Sequence, residues 1–244
     1  MLKITHIAKT FNPGTITEKC ALTDVQLELA DGDFVTVIGG NGAGKSTMLN
    51  AVAGVYAVDK GTIEIGGADV TRLPEYKRAA HLGRVFQDPM TGTAATMSIE
   101  ENLALAMRRG QRRTLRWGVT AKEREQYHEA LKELDLGLED RMSAKVGLLS
   151  GGQRQALTLL MATLRRPDLL LLDEHTAALD PKTAKNVLRL TSKLVAEQHL
   201  TTLMVTHNMK DALQYGNRII MMNEGRVILD IGRESKSKLQ VEDL

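Results

Sequence analysis

Residues 39–47 read GGNGAGKST, directly after the apolar run FVTVI at 34–38 and before the helix-like stretch TMLNAVA. The run from Gly39 to Ser46 fits G-x-x-x-x-G-K-[ST], a pattern that folds as strand, glycine turn and helix start. That order commits the chain to an α/β architecture built around a buried strand. The glycines let backbone N–H groups turn inward around phosphate oxygens, and the helix N-terminus adds its dipole. Gly39, Gly40, Asn41, Gly42, Ala43 and Gly44 would form the cradle. Lys45 would reach the β- and γ-phosphates, Ser46 would bind Mg²⁺, and Thr47 would lie near the α-phosphate. The plain alternative is a flexible strand-to-helix turn.

Other apolar runs suit the same sheet. Phe34–Ile38, Leu169–Leu172 and Leu203–Val205, with Val85–Phe86 as a shorter candidate, are continuous and so read as strands buried on both faces, the mark of a parallel sheet covered by helices. Residues 2–7 and 21–29 alternate weakly, and GTIEIGGADV at 61–70 reads as a hairpin with a Gly-Gly turn, so a small antiparallel layer is expected near the N-terminus. Between Gln87 and Ser150 the pattern turns helical, with capping boxes at Ser98/Glu101 and Thr120/Glu123. The expected organisation is one domain over 1–244: a core from 1–87 and 155–232 that includes the antiparallel layer, a helical subdomain over 88–154, and a short polar tail at 233–244. The stretch RRGQRRTLR, with Arg108, Arg109, Arg112, Arg113 and Arg116, reads as a solvated basic face or a contact for a lipid headgroup or partner. Asp180 followed by Pro181 predicts an N-cap with proline at the first helical position.

In open α/β sheets a ligand sits beyond the carboxyl ends of the strands, so polar residues that close apolar runs belong together. Beside the cradle these are Gln87 in GRVFQDP, Asp173 and Glu174 in LLLLDE, and His207 in TLMVTHN. Asp173 can hold Mg²⁺, and Glu174 can position and deprotonate a water. Each also has an ordinary reading as a strand-end amide, a helix cap or a satisfied histidine. Their convergence on one edge of one sheet favours a site.

A second glycine turn opens another helix. Ser150-Gly151-Gly152-Gln153 is a capping box followed by Leu157, Leu160, Met161 and Leu164 on one helical face. A capped helix alone would explain the serine and glutamine. Two glycines in the first turn, each costing up to about 1 kcal/mol relative to alanine, ask for a further reason, and close approach of a phosphate is one. Without a lysine or a cation ligand this turn could complete a nucleotide site and not make one.

The order GGNGAGKST, Gln87, LSGGQRQ, LLLLDE, AALD and His207 resembles that of the ATP-binding cassette ATPases and covers the chain from Phe11 to about Gly232. The resemblance implies a P-loop core with a mostly parallel sheet, an antiparallel layer and an inserted helical subdomain. It implies two copies that close head to tail around two MgATP, each nucleotide lying between one copy's P-loop and the other's LSGGQ. Ser150 and Gly152, with Gly151 and Gln153 beside them, would then meet the γ-phosphate in trans. Glu174 would be the general base, Asp173 and Gln87 would assist Mg²⁺, and His207 would hold the γ-phosphate and attacking water. Asp180 would run along the dimer seam. Phe11 stands where the family stacks an aromatic ring on adenine, though a core role is the alternative. His175 replaces the family's commoner proline, which leaves the catalytic pair untouched and the geometry of the turn open.

The resemblance further implies an integral membrane permease received by Asp88–Met97 and an extracytoplasmic substrate-binding protein, with the chain peripheral on the cytoplasmic face. DEHTAALDPKTA and DPMTGTAATMSIEENLALAMRRG are similar to a bacterial subgroup associated with amino-acid uptake, aromatic amino acids included. A soluble cassette acting on ribosomes or DNA is the alternative; a small-molecule P-loop kinase would leave LSGGQ and AALD unexplained. Against nucleic acid stands the balance of 32 basic and 30 acidic residues, a net +2. Cys20 is the only cysteine, which excludes an intrachain disulfide and a thiolate metal site. Nowhere do about 18 consecutive apolar residues occur, so no membrane span is expected.

Overall fold

The computed structural model describes residues 1–111 and 118–240. Arg112, Arg113 and Arg116 of the basic run lie outside them. The order is β1 (Leu2–Phe11), β2 (Lys19–Leu29), β3 (Phe34–Ile38), α1 (Lys45–Ala53), β4 (Lys60–Ile65), β5 (Ala68–Asp69), α2 (Glu75–Arg78), β6 (Leu82–Val85), α3 (Ile99–Met107) and α4 (Ala121–Lys132). It continues with α5 (Gly151–Thr163), β7 (Leu169–Asp173), α6 (Pro181–Gln198), β8 (Thr202–Val205), α7 (Met209–Gln214), β9 (Arg218–Asn223), β10 (Arg226–Ile231) and α8 (Arg233–Lys236).

Two sheets carry the core. The larger runs β10-β9-β3-β8-β7-β6, parallel from β9 through β6, with β10 antiparallel at its edge. The smaller, β2-β1-β4-β5, is antiparallel throughout, and Gly66 and Gly67, both at positive φ, make the turn between β4 and β5. The four leucines before Asp173 show why the parallel strands read as continuous apolar runs. Leu169 and Leu171 point into one cluster, with α1 and the antiparallel layer, while Leu170 and Leu172 point into another, with α5 and α6. With a side-chain period of two, a strand covered on both faces must be apolar at every position.

A further cluster gathers Ile99 and Leu103 of α3, Tyr127 and Leu131 of α4, and Leu157 and Leu160 of α5. Helix α5 also sends Leu159 and Ala162 to the sheet. A boundary at residues 154/155 therefore falls inside one continuous helix that serves both clusters. The capping boxes at Ser98, Thr120 and Ser150 are formed, each with both reciprocal bonds. Asp180 caps α6 through its side chain, with Pro181 at the first helical position. Two residues of the basic run are committed internally: Arg108 donates to Ala104 O at 2.9 Å and Glu123 Oε1 at 3.0 Å, and Arg109 donates to the carbonyls of Ala162 and Arg165. For these two, the reading as a solvated face gives way to tertiary bonds that tie α3 to α4 and α5.

Candidate nucleotide site

The turn after β3 can only be made by glycine. Gly39 has φ 148°, and a Cβ there would stand 2.3 Å from the Met222 carbonyl of neighbouring β9. Gly44, at φ 99°, is the N-cap of α1 and has no room either, with the Ala21 carbonyl 2.8 Å from where a Cβ would be. No side chain caps α1 and no acidic residue enters its first turn, so its leading N–H groups keep their capacity for an anion. Lys45 is buried, and its Nζ donates to Gly39 O at 2.7 Å and Gly40 O at 3.1 Å. The ammonium thus lies folded over the loop it would share with phosphates. Ser46 is exposed on the first turn and Thr47 is half-buried beside it.

The remaining polar strand ends lie along the same edge, since β3, β8, β7 and β6 are successive neighbours. Gln87 is exposed just beyond β6. Asp173 ends β7; burial pushes its carboxyl up, and the Arg84 guanidinium, 3.6 Å away, opposes the shift. Glu174 follows at φ 42°, a left-handed conformation rare for a non-glycine residue, held by its N–H donating to Val205 O at 3.1 Å. Strain of this kind, of order 1–3 kcal/mol, persists where the surroundings over-determine a functional side chain. It brings the Glu174 carboxylate within 3.4 Å of His207 Nδ1, at the end of β8. A carboxylate beside an exposed imidazole, flanked by a lysine and an uncapped helix N-terminus, can bind a phosphate chain and take a proton from a water. A hydroxyl at Ser46, an amide at Gln87 and a carboxylate at Asp173 are the hard oxygen donors a Mg²⁺ ion takes together with substrate phosphates.

His175 settles the turn that its substitution for proline left open. The ring is 2% exposed, packed inward, with Nε2 3.1 Å from Thr191 Oγ1 on α6. Burial brings its pKa down to about 4. The chain leaves it through short turn bonds, Ala177 N–H to Glu174 O and Leu179 N–H to Thr176 O, and reaches exposed Asp180 at the head of α6. Phe11 closes β1 half-buried, its ring edge-on to Tyr56 at 5.1 Å and with Lys9 Nζ 5.7 Å from its centre. That leaves an aromatic corner at a strand end and not a residue of the main core.

The second turn is elsewhere. Ser150, Gly152 and Gln153 line a cavity of about 450 Å³ with Thr183 and Asn186, and none of residues 39–47 lines it. Ser150 Oγ accepts the Gln153 N–H, and Gln153 Oε1 accepts the Ser150 N–H. Gly151 is exposed. Gly152 has a reason that phosphate contact did not anticipate: a Cβ there would come 2.2 Å from the Thr183 methyl of α6. Three further residues carry the arrangement, inside the motif strings LSGGQRQ and GRVFQDP but with no role assigned from sequence. Arg154 donates to the carbonyls of Val146, Gly147 and Leu149 and so fixes the approach to Ser150. Buried Gln155 donates to Phe86 O, tying α5 to the segment that bears Gln87. Arg84 sits between Asp173 and Asn50, its Nη2 2.6 Å from Asn50 Oδ1.

Known proteins place this geometry. A tyrosine transport ATP-binding protein of Clostridioides difficile is 45% identical over all of this chain and 97% of its own length. A phosphonates import ATP-binding protein of Haloquadratum walsbyi is 33% identical over all of this chain and 76% of its own. A dimeric ATP-binding cassette solved in a post-hydrolysis state with ADP and Pi superposes with a TM-score of 0.80 at 30% identity, covering 95% of this chain and 98% of that one. With the ABC transporter family model matching residues 22–177, across both glycine turns and the LLLLDE strand, the chain belongs to the ABC transporter family and is an ATPase of it.

Proposed function

We propose that this chain is the nucleotide-binding subunit of a membrane importer and that it works as a dimer closed by ATP. The observation that carries the reading is the split between the two glycine turns. Glu174 and His207 meet at the end of the sheet whose strand β3 leads into the 39–47 loop and Lys45, while Ser150, Gly152 and Gln153 line a different cavity of the same chain. A nucleotide held by the first set leaves its γ-phosphate side open, and the second set of another copy supplies the missing wall.

In this reading Phe11 stacks on adenine, the 39–47 loop holds the phosphate chain, and Lys45 exchanges its carbonyl partners for phosphate oxygens. Ser46, Gln87 and Asp173 hold Mg²⁺, which neutralises charge on the phosphates. Glu174 takes the proton of the attacking water, and His207 keeps both that carboxylate and the γ-phosphate in place. Asp180 lies along the seam. Binding closes the clamp because each γ-phosphate gains contacts from two subunits, and hydrolysis removes them.

The permease helix would dock in the groove of about 250 Å³ lined by Leu82, Phe86, Gly92, Ala106 and Met161. Gly92 of the segment 88–97 lines it, and that segment is pinned to α3 by Asn102, which bonds both the N–H and the carbonyl of Ala94. No helix among the described residues is long and apolar enough to cross a membrane, and in this reading the permease supplies the path across it. The name of the tyrosine transport relative supports a solute of amino-acid type; in this reading an extracytoplasmic substrate-binding protein delivers it to a complex with this chain on its cytoplasmic face. The Glu174→Gln variant tests the core of the reading. It binds MgATP, hydrolyses it hardly at all and accumulates as a dimer in sizing chromatography; a monomer under saturating ATP overturns the clamp.

A further inference from the structure

Arg78, which is buried, and Arg84, which is partly buried, both bond to α1 and differ in how they are held. Arg78 spends its guanidinium on backbone carbonyls of Leu73, Ala51, Val52 and Thr71. Arg84 does not. Its Nη2 meets Asn50 Oδ1, its plane lies 4.5 Å over the Phe86 ring, and its Nε is buried without a partner. The same Nη2 stands 3.6 Å from Asp173 Oδ2, with the two side chains only 12% and 16% exposed. Arg84 also lines the groove described above. A guanidinium with one hydrogen-bonded side-chain acceptor, a buried Nε donor without a partner and a groove beside it can be displaced at little structural cost.

The geometry points to Arg84 as a positioning residue: it is the ion-pair partner of Asp173 and has to release that carboxylate before a divalent cation can be taken up. The inference rests on the reading of Asp173 as a cation ligand. Two positive charges cannot share one partly buried carboxylate without mutual repulsion, which is strong where water is scarce. Arg84 therefore raises the cation concentration at which the site fills, and its path of retreat is toward the groove.

The test is a Mn²⁺ titration followed by electron paramagnetic resonance, on full-length chain carrying Glu174→Gln to arrest turnover, with ATP saturating. Adding Arg84→Gln lowers the half-saturating Mn²⁺ concentration by about three- to tenfold, the size expected of a partly exposed ion pair. Binding of a fluorescent ATP analogue in EDTA stays unchanged, which a general loosening of the site would not allow. Arg84→Lys, which keeps the charge on a different stem, falls between the two, and it decides the matter if Arg84→Gln does not fold. Placed on Asp173→Asn, the Arg84→Gln change has no effect on Mn²⁺. Equal or weaker Mn²⁺ binding in a folded Arg84→Gln variant refutes the role of Arg84 alone. A parent that binds no MnATP counts instead against the functional reading.

Discussion

His175 Nε2 donates to Thr191 Oγ1 at 3.1 Å, joining the residue after Glu174 to the third turn of the helix that Asp180 caps. The direction follows from Thr191, whose own hydroxyl donates to Val187 O at 2.8 Å and so has only lone pairs to offer the imidazole. The ring is neutral and carries its proton on Nε2. It fastens the turn bearing the candidate base to α6.

A neutral buried histidine makes the fold acid-sensitive. The folded pKa of about 4 lies below the ordinary value of 6.5, so the unfolded chain binds the proton more readily. The native state is unpenalised above 6.5 and loses stability as the pH falls from there toward 4, by roughly 3 kcal/mol over the full window. Thermal melting of the wild type at pH 7.5 and pH 5 should show a larger drop in Tm than melting of His175→Gln, which has no group to protonate there. Equal drops would place the acid sensitivity elsewhere.

Gly152 has two candidate reasons to be glycine, and they separate. Gly152→Ala drives a Cβ into the Thr183 methyl, an overpacking of about 1–2 kcal/mol. Thr183→Ala removes that methyl while its own Cβ stays 3.6 Å from the new one. The double variant should regain the single variant's loss in denaturant midpoint and still hydrolyse ATP at least about tenfold more slowly than the wild type, the loss expected when backbone contact with the γ-phosphate is blocked. If Thr183→Ala restores turnover as well, the glycine serves helix packing and nothing else.

What the sequence disclosed and what it withheld divide along physical lines. Turn glycines, capping boxes and doubly buried strands depend on neighbours close in the chain, and these were legible: the 39–47 loop, Ser98, Thr120, Ser150, Asp180 and the four-leucine strand all stand where local rules put them. The hairpin of β9 and β10 was not among the expected strands. Its outer strand alternates only between exposed and half-exposed positions at the sheet edge, so its apolar signal is weak. Of Val85–Phe86 only Val85 belongs to a strand, as the end of one that starts at Leu82, and Gly83 and Arg84 interrupt its apolar run. Gly152 against Thr183, Arg84 against Asp173 and Gln155 against Phe86 are separated by 31, 89 and 69 positions. No spacing rule reaches across such intervals.

Phe11 should act on binding and not on the chemical step. An adenine stacked on its ring gains about 1–3 kcal/mol, the range found for base–aromatic stacking. Phe11→Ala then raises KM for ATP about tenfold with kcat nearly unchanged, since the ring contacts ground state and transition state alike. Phe11→Trp keeps the face and should retain the wild-type KM, although Tyr56 has to shift to admit it. A fall in kcat at constant KM would show that the ring supports the fold near β1 instead.

Arg78 is where the loop's supporting helix is anchored, and its loss should be felt as stability. It is 2% exposed and donates to Ala51 and Val52, carbonyls in the last turn of α1, as well as to Leu73 and Thr71. Ala51 O keeps the Gly54 N–H, but the other carbonyls have no such substitute, and buried carbonyls left unpaired cost about 1–3 kcal/mol each. Arg78→Met, similar in length and without donors, should therefore destabilise the chain by at least about 3 kcal/mol, even after water reaches part of the gap. Arg78→Lys recovers some of it, because an ammonium can satisfy one or two of the carbonyls but lacks the planar fork that reaches all four. Urea denaturation of the three chains measures the order directly. Since α1 carries Lys45, Ser46 and Thr47 at its other end, MgATP should raise the urea midpoint of Arg78→Met less than it raises that of the wild type. An equal ligand-induced shift would mean that the anchor fixes the helix without tuning the loop.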